Sequence, residues 1–321
     1  MVSDTIVSGD EGPYTAVVFA YHDVGVRCLS VMLAHGVRIP LVVTHRDDPG
    51  ENVWFQSVEK LARDHDLEVA TPDDPNAPRF LQRLADISPD FIFSFYYRFM
   101  LSPAVLATAM RGAFNMHGSL LPKFRGRAPV NWAVLRGETS TGATLHEMVE
   151  KPDAGRIVDQ FPVPILPDDR AIDVFRKVTV AAELLLDRAL PGVLDGMAPL
   201  ITQDLAQGGY CRGRKSDDGR VDWTKGAKEI HDLVRAVAPP YPGAFTMLGA
   251  QKLRLNATRL IPGTSPAAPA TLRFDGTHLV ARCADGRSLR ILECDLDGVA
   301  LQAATFEEFF GREPVPLGEN P

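Results

Sequence analysis

The sequence has no apolar run approaching the about 18 residues of a membrane-spanning helix, so no membrane span is expected. It has no Cys-x-x-Cys pair: Cys28, Cys211, Cys283 and Cys294 lie 183, 72 and 11 positions apart, which excludes the common zinc and dithiol motifs. Cysteines scattered in this way read as reduced thiols of a cytoplasmic protein. No His-Glu-x-x-His or similar pair joins the histidines, so no metal is expected. No Gly-x-Gly-x-x-Gly follows the first apolar run, where the turn is Tyr21-His22-Asp23-Val24-Gly25, so no standard dinucleotide site is expected. The first 14 residues carry Asp4, Asp10 and Glu11 but no Lys or Arg, unlike a secretory signal, and are read as a flexible tail. Positive charge is not in excess either: 34 Lys+Arg stand against 41 Asp+Glu, a net charge of −7, and no nucleic-acid partner is expected. What is present, 45% hydrophobic and 23% charged residues, excludes a mainly disordered chain, a collagen and a coiled coil.

From residue 16 onward, short apolar runs alternate with segments of helical period. Strands are expected at 16–21, 39–44, 67–70, 91–95, 113–117 and 143–149. Helices are expected at 24–35, 53–65, 80–87, 128–135 and 168–196. This alternation implies a parallel sheet covered on both faces, a doubly wound, Rossmann-like α/β domain over 15–203. Its ligands would sit outside the carboxyl ends of the strands. Residues 204–220 are polar and glycine-rich and read as a linker. A helix near 225–237 and alternating runs at 244–248, 252–260, 271–282 and 287–294 suggest a small β-rich domain over 221–305. Residues 306–321 are read as a tail. From residue 206 onward, 15 Lys+Arg face 14 Asp+Glu, so the second half also lacks the charge to hold a polyanion.

The densest chemistry is Asn115-Met116-His117-Gly118-Ser119-Leu120-Leu121-Pro122-Lys123-Phe124-Arg125-Gly126-Arg127-Ala128-Pro129. Residues two apart on a strand share a face, so Asn115 and His117 point together at a carboxyl end. An imidazole can move a proton near neutral pH, and an amide can donate to an oxyanion. Together they suit attack on a carbonyl carbon. Asp153 follows 36 residues after His117 and could hold the imidazole in one tautomer and raise its pKa. Other readings remain open: Asn115 as a strand cap, His117 as a hydrogen-bonded structural histidine, Asp153 as a turn residue. Lys123, Arg125 and Arg127 are either solvated loop charge or a grip on carboxylate or phosphate. Tyr96, Tyr97 and Arg98 either line the same crevice or cap the sheet edge.

The run from Asn115 to Pro129, with the later Asp153-Ala154-Gly155, resembles the folate-dependent formyltransferases. Val18 to Asp23, Thr44 to Glu51, Phe93 to Arg98, Asn131-Trp132, Arg235 to Ala238 and Pro242 to Phe245 support the likeness, which runs from about residue 16 to about residue 260. The closest resemblance is to the branch that formylates UDP-4-amino-4-deoxy-L-arabinose, found as one half of bifunctional polymyxin-resistance proteins of lipid A modification. The likeness is to the formyltransferase half of those proteins, and the N-terminal tail lies outside it. The resemblance implies that His117 transfers the proton of the attacking amine, Asn115 stabilises the oxyanion and Asp153 raises the pKa of His117. It implies 10-formyltetrahydrofolate as donor, held by Phe99, Met100, Leu101, Arg127, Val149, Glu150, Lys151, Pro152 and Asp153. Tyr96, Arg125, Asn131 and Trp132 would meet the UDP-amino-sugar. The second domain would be an OB-like β-barrel. Methionyl-tRNA formyltransferase and formyltetrahydrofolate hydrolase share the donor-side residues and remain alternatives. The oligomeric state, a homo-oligomer included, stays open.

Overall fold

The computed structural model describes residues 13–318, and the expected N-terminal tail lies outside the described residues up to position 12. The chain divides into two units. Of the described residues, unit 1 holds 13–126, 141–163 and 176–211, and unit 2 holds 127–140, 164–175 and 212–318. The expected linear division by composition thus differs from the observed one, because two short interior segments cluster with the C-terminal part.

Unit 1 follows the α/β rhythm: β1 (Thr15–Ala20), α1 (His22–Ala34), β2 (Arg38–Val43), α2 (Val58–Asp64), β3 (Val69–Ala70), α3 (Pro78–Ile87), β4 (Phe91–Phe95), α4 (Pro103–Leu106) and β5 (Gly112–His117). Next come the short β6 (Arg125–Gly126) and, in unit 2, α5 (Pro129–Leu135). The chain continues through β7 (Ser140–Glu147), β8 (Ile157–Pro164), α6 (Ala171–Leu194) and β9 (Tyr210–Cys211). The large sheet has the order β3-β2-β1-β4-β5-β7-β8. The pairs β2·β3, β1·β2, β1·β4 and β4·β5 are parallel. The expected all-parallel sheet differs at its far side, because β7 runs antiparallel to β5. A one-sided antiparallel edge is common on doubly wound sheets.

The strands are apolar without interruption because both faces are covered. Phe91 to Phe95 of β4 is buried throughout. On one face Val17, Phe19, Leu41, Val43 and Ile92 pack with Phe80 and Leu84 of α3. The periodicity that suggested a helix over 53–65 is helical only from Val58, where Ser57 caps the first turn by accepting from the Lys60 amide. β8 escaped the sequence reading because it alternates poorly and carries two prolines.

Unit 2 contains α7 (Ala227–Val237), β10 (Ala244–Leu248), β11 (Gln251–Ile261), β12 (Thr271–Phe274), β13 (Leu279–Arg282), β14 (Ser288–Leu296), β15 (Val299–Ala300), α8 (Ala303–Phe310) and β16 (Val315–Pro316). Its sheet has the order β10-β11-β14-β13-β12-β16, with β15 on β14, and all its pairs are antiparallel. The run read at 271–282 is a hairpin turning through Asp275-Gly276-Thr277, where Gly276 has φ +95. The tail expected from 306 onward is instead structured to 318: Phe306 of α8 is fully buried and β16 pairs with β12.

Candidate active site

His117 and its partners Phe124 and Asp153 lie in unit 1. β5 is central enough to be flanked on both sides, with Asn115 facing Ser94 of β4 and His146 of β7 in register. Strand alternation puts Asn115 and His117 on one face at the carboxyl end of β5. The loop that follows is tied down by short bonds. Ser119 Oγ donates to the Lys123 carbonyl at 2.6 Å, and Thr144 Oγ1 donates to the Ser119 carbonyl at 2.6 Å. Gln160 Nε2 reaches the Leu121 carbonyl and Thr144 Oγ1, both at 2.9 Å.

This loop turns Phe124 into the left-handed region, with φ +55, and aims its carbonyl at His117. His117 Nε2 is 2.9 Å from that oxygen. A carbonyl only accepts, so Nε2 carries the hydrogen and Nδ1 keeps the lone pair of the neutral ring. Nδ1 lies 3.6 Å from Asp153 Oδ1, beyond hydrogen-bond length but near enough for the carboxylate to stabilise a proton that Nδ1 takes up. Asp153 is itself left-handed, with φ +52. Its Oδ2 accepts from the Gly126 amide at 2.7 Å, and its carbonyl accepts from Gln203 Nε2 at 3.0 Å. Non-glycine residues held at positive φ are costly and concentrate at functional sites.

Gly155 and Gly126, on either side of Asp153, are among the glycines required by close approach. A Cβ on Gly155 would lie 2.0 Å from the Glu147 carbonyl, and one on Gly126 would lie 2.5 Å from the Cys211 carbonyl. Gly155 lets the Asp153 turn lie on the end of β7, and Gly126 lets β6 lie against β9.

His146 is the residue that sequence reading missed. It is 1% exposed, its Nδ1 is 2.7 Å from the Glu147 carbonyl, and its Nε2 is 3.1 Å from Asn115 Nδ2 and 3.6 Å from Asp153 Oδ1. Two histidines therefore face one carboxylate oxygen. The only signal in the chain was the buried alternation of 143–149, which does not reveal which strand lies alongside.

The electrostatics follow from burial. Loss of water pushes the His117 pKa below its ordinary value, with Asp153 pulling back the other way. Burial alone would raise the Asp153 carboxyl, but a proton on the neighbouring His117 and the Gly126 amide hold it well below the usual carboxylate range. The site thus presents an ionised carboxylate beside a neutral imidazole, which suits proton acceptance.

The other sequence-derived candidates take different places. Tyr97 stacks on His45 at 4.2 Å, and Phe99 meets the same ring edge-on at 4.8 Å. Tyr96 has φ +60 at the end of β4. Arg98 forms a two-pronged pair with Glu51 at 2.7 and 2.6 Å. Phe99, Met100 and Val149 are exposed apolar side chains, and Glu150 and Lys151 are exposed beside Val149. Leu101 is buried in the hydrophobic core under β1 and β4, so its side chain is engaged in packing. Pro152 offers its carbonyl to the Tyr210 hydroxyl at 2.5 Å. Arg125 is 3% exposed: its guanidinium donates to the Leu205 and Gly208 carbonyls and lies over Tyr210, so it braces the loop rather than facing solvent.

Arg127, Asn131 and Trp132 belong to unit 2. Arg127 is exposed. Asn131 is buried and donates to the Ala236 carbonyl at 2.8 Å. Trp132 Nε1 donates to the Arg212 carbonyl, and its ring is flanked by the guanidinium carbons of Arg136 and Arg214 at 5.7 and 5.3 Å. Among the described residues, no group of three or more His, Cys, Asp or Glu could hold a metal ion. No described helix is long and apolar enough to cross a membrane.

A formyl transferase family model matches residues 28–190, and a formyl transferase C-terminal domain model matches residues 214–310. Among solved structures, an N-formyltransferase from Helicobacter canadensis, in complex with folinic acid and dTDP-3-aminofucose, is similar at 18% identity and TM-score 0.70, over 87% of this chain and 98% of that one. The sugar 3N-formyl transferase WlaRD, solved in the presence of dTDP and 5-N-formyl-THF, is similar at 18% identity and TM-score 0.69, over 87% and 97%. HypX from Aquifex aeolicus is similar at 17% identity and TM-score 0.60, over 94% of this chain but 49% of that one.

Proposed function

The chain belongs to the formyl transferase family, and on that premise we propose that it moves the formyl group of 10-formyltetrahydrofolate to the amine of a nucleotide-linked amino sugar. The finer reading, carried by the sequence resemblance, is UDP-4-amino-4-deoxy-L-arabinose, formylated in the cytoplasm as part of lipid A modification and polymyxin resistance. The single observation that carries formyl transfer is the placing of Asp153 3.6 Å from His117, two residues along one strand from Asn115, in a family member.

Each group has one task. Asn115 Nδ2 donates to the oxygen of the formyl carbon as it becomes an oxyanion. His117 accepts the proton of the attacking amine at Nδ1, the nitrogen left basic by the bond from Nε2 to Phe124. Asp153, ionised and 3.6 Å away, stabilises the imidazolium that results. His117 then returns the proton to the departing folate nitrogen. The exposed Phe99, Met100 and Val149, beside an exposed turn, fit the apolar body of a folate, and 10-formyltetrahydrofolate supplies the activated formyl group there. Two structural relatives, an N-formyltransferase in complex with dTDP-3-aminofucose and a sugar 3N-formyl transferase solved with dTDP, support the choice of acceptor class.

The test is a panel of amine acceptors with 10-formyltetrahydrofolate: UDP-4-amino-4-deoxy-L-arabinose, a dTDP-amino-sugar, initiator methionyl-tRNA and water alone. Formylation of the UDP-amino-sugar is expected. Turnover of methionyl-tRNA only, or release of tetrahydrofolate without any acceptor, would replace this reading by the tRNA enzyme or the hydrolase.

A further inference from the structure

We infer that His146 is a positioning residue for the oxyanion donor: it sets which end of the Asn115 amide faces the reaction. The inference rests on the formyl-transfer reading of Asn115.

A primary amide can rotate by half a turn and exchange its oxygen for its nitrogen. Only the nitrogen end can donate to an oxyanion, and the oxygen end would repel it. Something must therefore choose between the two, and the hydrogen-bond network shows what does. His146 Nδ1 lies 2.7 Å from the Glu147 carbonyl, which can only accept, so Nδ1 carries hydrogen. In the neutral ring, Nε2 is then an acceptor. Asn115 Nδ2 stands 3.1 Å from it and donates one of its two hydrogens. The second hydrogen is left for the reacting oxygen, and the plane of the amide is held.

The arrangement is built into the sheet. Asn115 and His146 are direct partners across the antiparallel pair β5·β7, and His146 is 1% exposed. Its ring has no room to turn away, and the Glu147 carbonyl belongs to the next residue of the same chain. The charged and titratable groups facing it are Asp153 from the turn after β7, at 3.6 Å, and His117 from β5, with ring centroids 6.4 Å apart. The Glu147 carboxylate is turned outward onto Arg156 at 2.6 and 2.7 Å. A proton on Nε2 would be drawn to Asp153 Oδ1 and would oppose the Asn115 N–H. The amide would then rotate and lose its donor. His146 acts only while Nε2 holds a lone pair.

The experiment compares His146→Phe, which keeps an aromatic ring but offers no acceptor, with His146→Gln, whose Oε1 can accept. His146→Phe is expected to lower kcat by about 10–100-fold, no further than Asn115→Ala, with both KM values within about two-fold. His146→Gln is expected to recover most of that loss. In an Asn115→Ala background, His146→Phe is expected to cost nothing more. Nitrogen-15 NMR of labelled histidine in the wild-type protein is expected to show His146 with a protonated Nδ1 and an unprotonated Nε2 at neutral pH. Wild-type-like kcat in His146→Phe, losses that multiply with Asn115→Ala, or a proton on Nε2 would each overturn the inference. The NMR measurement decides even if His146→Phe does not fold. Failure of the wild-type enzyme to formylate any amino sugar would instead overturn the proposed function and leave the tautomer result standing.

Discussion

In the proposed reaction Asn115, His117 and Asp153 each act through one atom, so truncating any of them should act on kcat rather than on KM. Loss of the His117 base should cost about 10²–10⁴-fold, and loss of the Asn115 donor about 10²–10³-fold. Because they work as a unit, the double variant His117→Ala with Asn115→Ala should be little worse than the worse single one; steady-state kinetics with both substrates checks this. A pH profile tests the electrostatics separately. His117 must be neutral to take a proton, so activity should rise with pH on its acid limb. Burial moves that limb down and Asp153 moves it up, so Asp153→Asn, in its residual activity, should shift the limb to lower pH. An unmoved limb would detach Asp153 from His117. At this scale the pair Asn115 and His117 was legible, because a two-residue spacing on a strand needs no tertiary information. Arg125 was not: nothing in Lys123-Phe124-Arg125 reveals that its guanidinium is buried among the carbonyls of residues 205 and 208.

Elements bring these residues together through tight backbone approaches. The Asp153 turn crosses β7 where Gly155 leaves no space for a Cβ. Gly155→Ala should therefore destabilise unit 1 by about 1–3 kcal/mol, the usual cost of forcing extra volume into a packed contact, and lower kcat by displacing Asp153; thermal melting and kinetics together check it. A second element-level property sits at the carboxyl ends of β1 and β2. His22 stacks on Phe55 at 3.9 Å and His45 on Tyr97 at 4.2 Å. Burial, and then Arg98, hold His22 down to about 3 and His45 down to about 4. The unfolded imidazoles take protons near their ordinary pKa of about 6.5 while the folded ones resist, so stability should fall as pH drops below that value and keep falling toward pH 4 and then 3. His45→Gln should flatten part of this decline when Tm is followed from pH 7.5 to pH 4. An unchanged slope would show that His45 does not remain neutral in the fold.

For the whole molecule, charge decides between acceptors. A net charge of −7 leaves no broad positive field for a polyanion. A tRNA held by 6–10 phosphate contacts would lose about 10³–10⁵-fold in affinity between 50 and 200 mM salt. A nucleotide sugar carries only a diphosphate, so its KM should change by no more than about ten-fold over that range. A steep salt dependence of the productive acceptor would argue against a small nucleotide-linked substrate.

The α/β class of the first part, the β-rich character of the second and the clustering of chemistry after β5 were all readable from the chain, because hydrophobic period and covalent spacing are local properties. Phe91 to Phe95 could be read as a buried strand for that reason, and Asn115 with His117 as a pair. The tertiary structure alone decided that β7 runs antiparallel to β5 and brings His146 onto Asn115, that Gly126 and Gly155 close the Asp153 turn, and that residues 127–140 and 164–175 cluster with the C-terminal unit. Strand register and burial are set by contacts between residues far apart in sequence, and the period along one strand is the same whichever neighbour it meets.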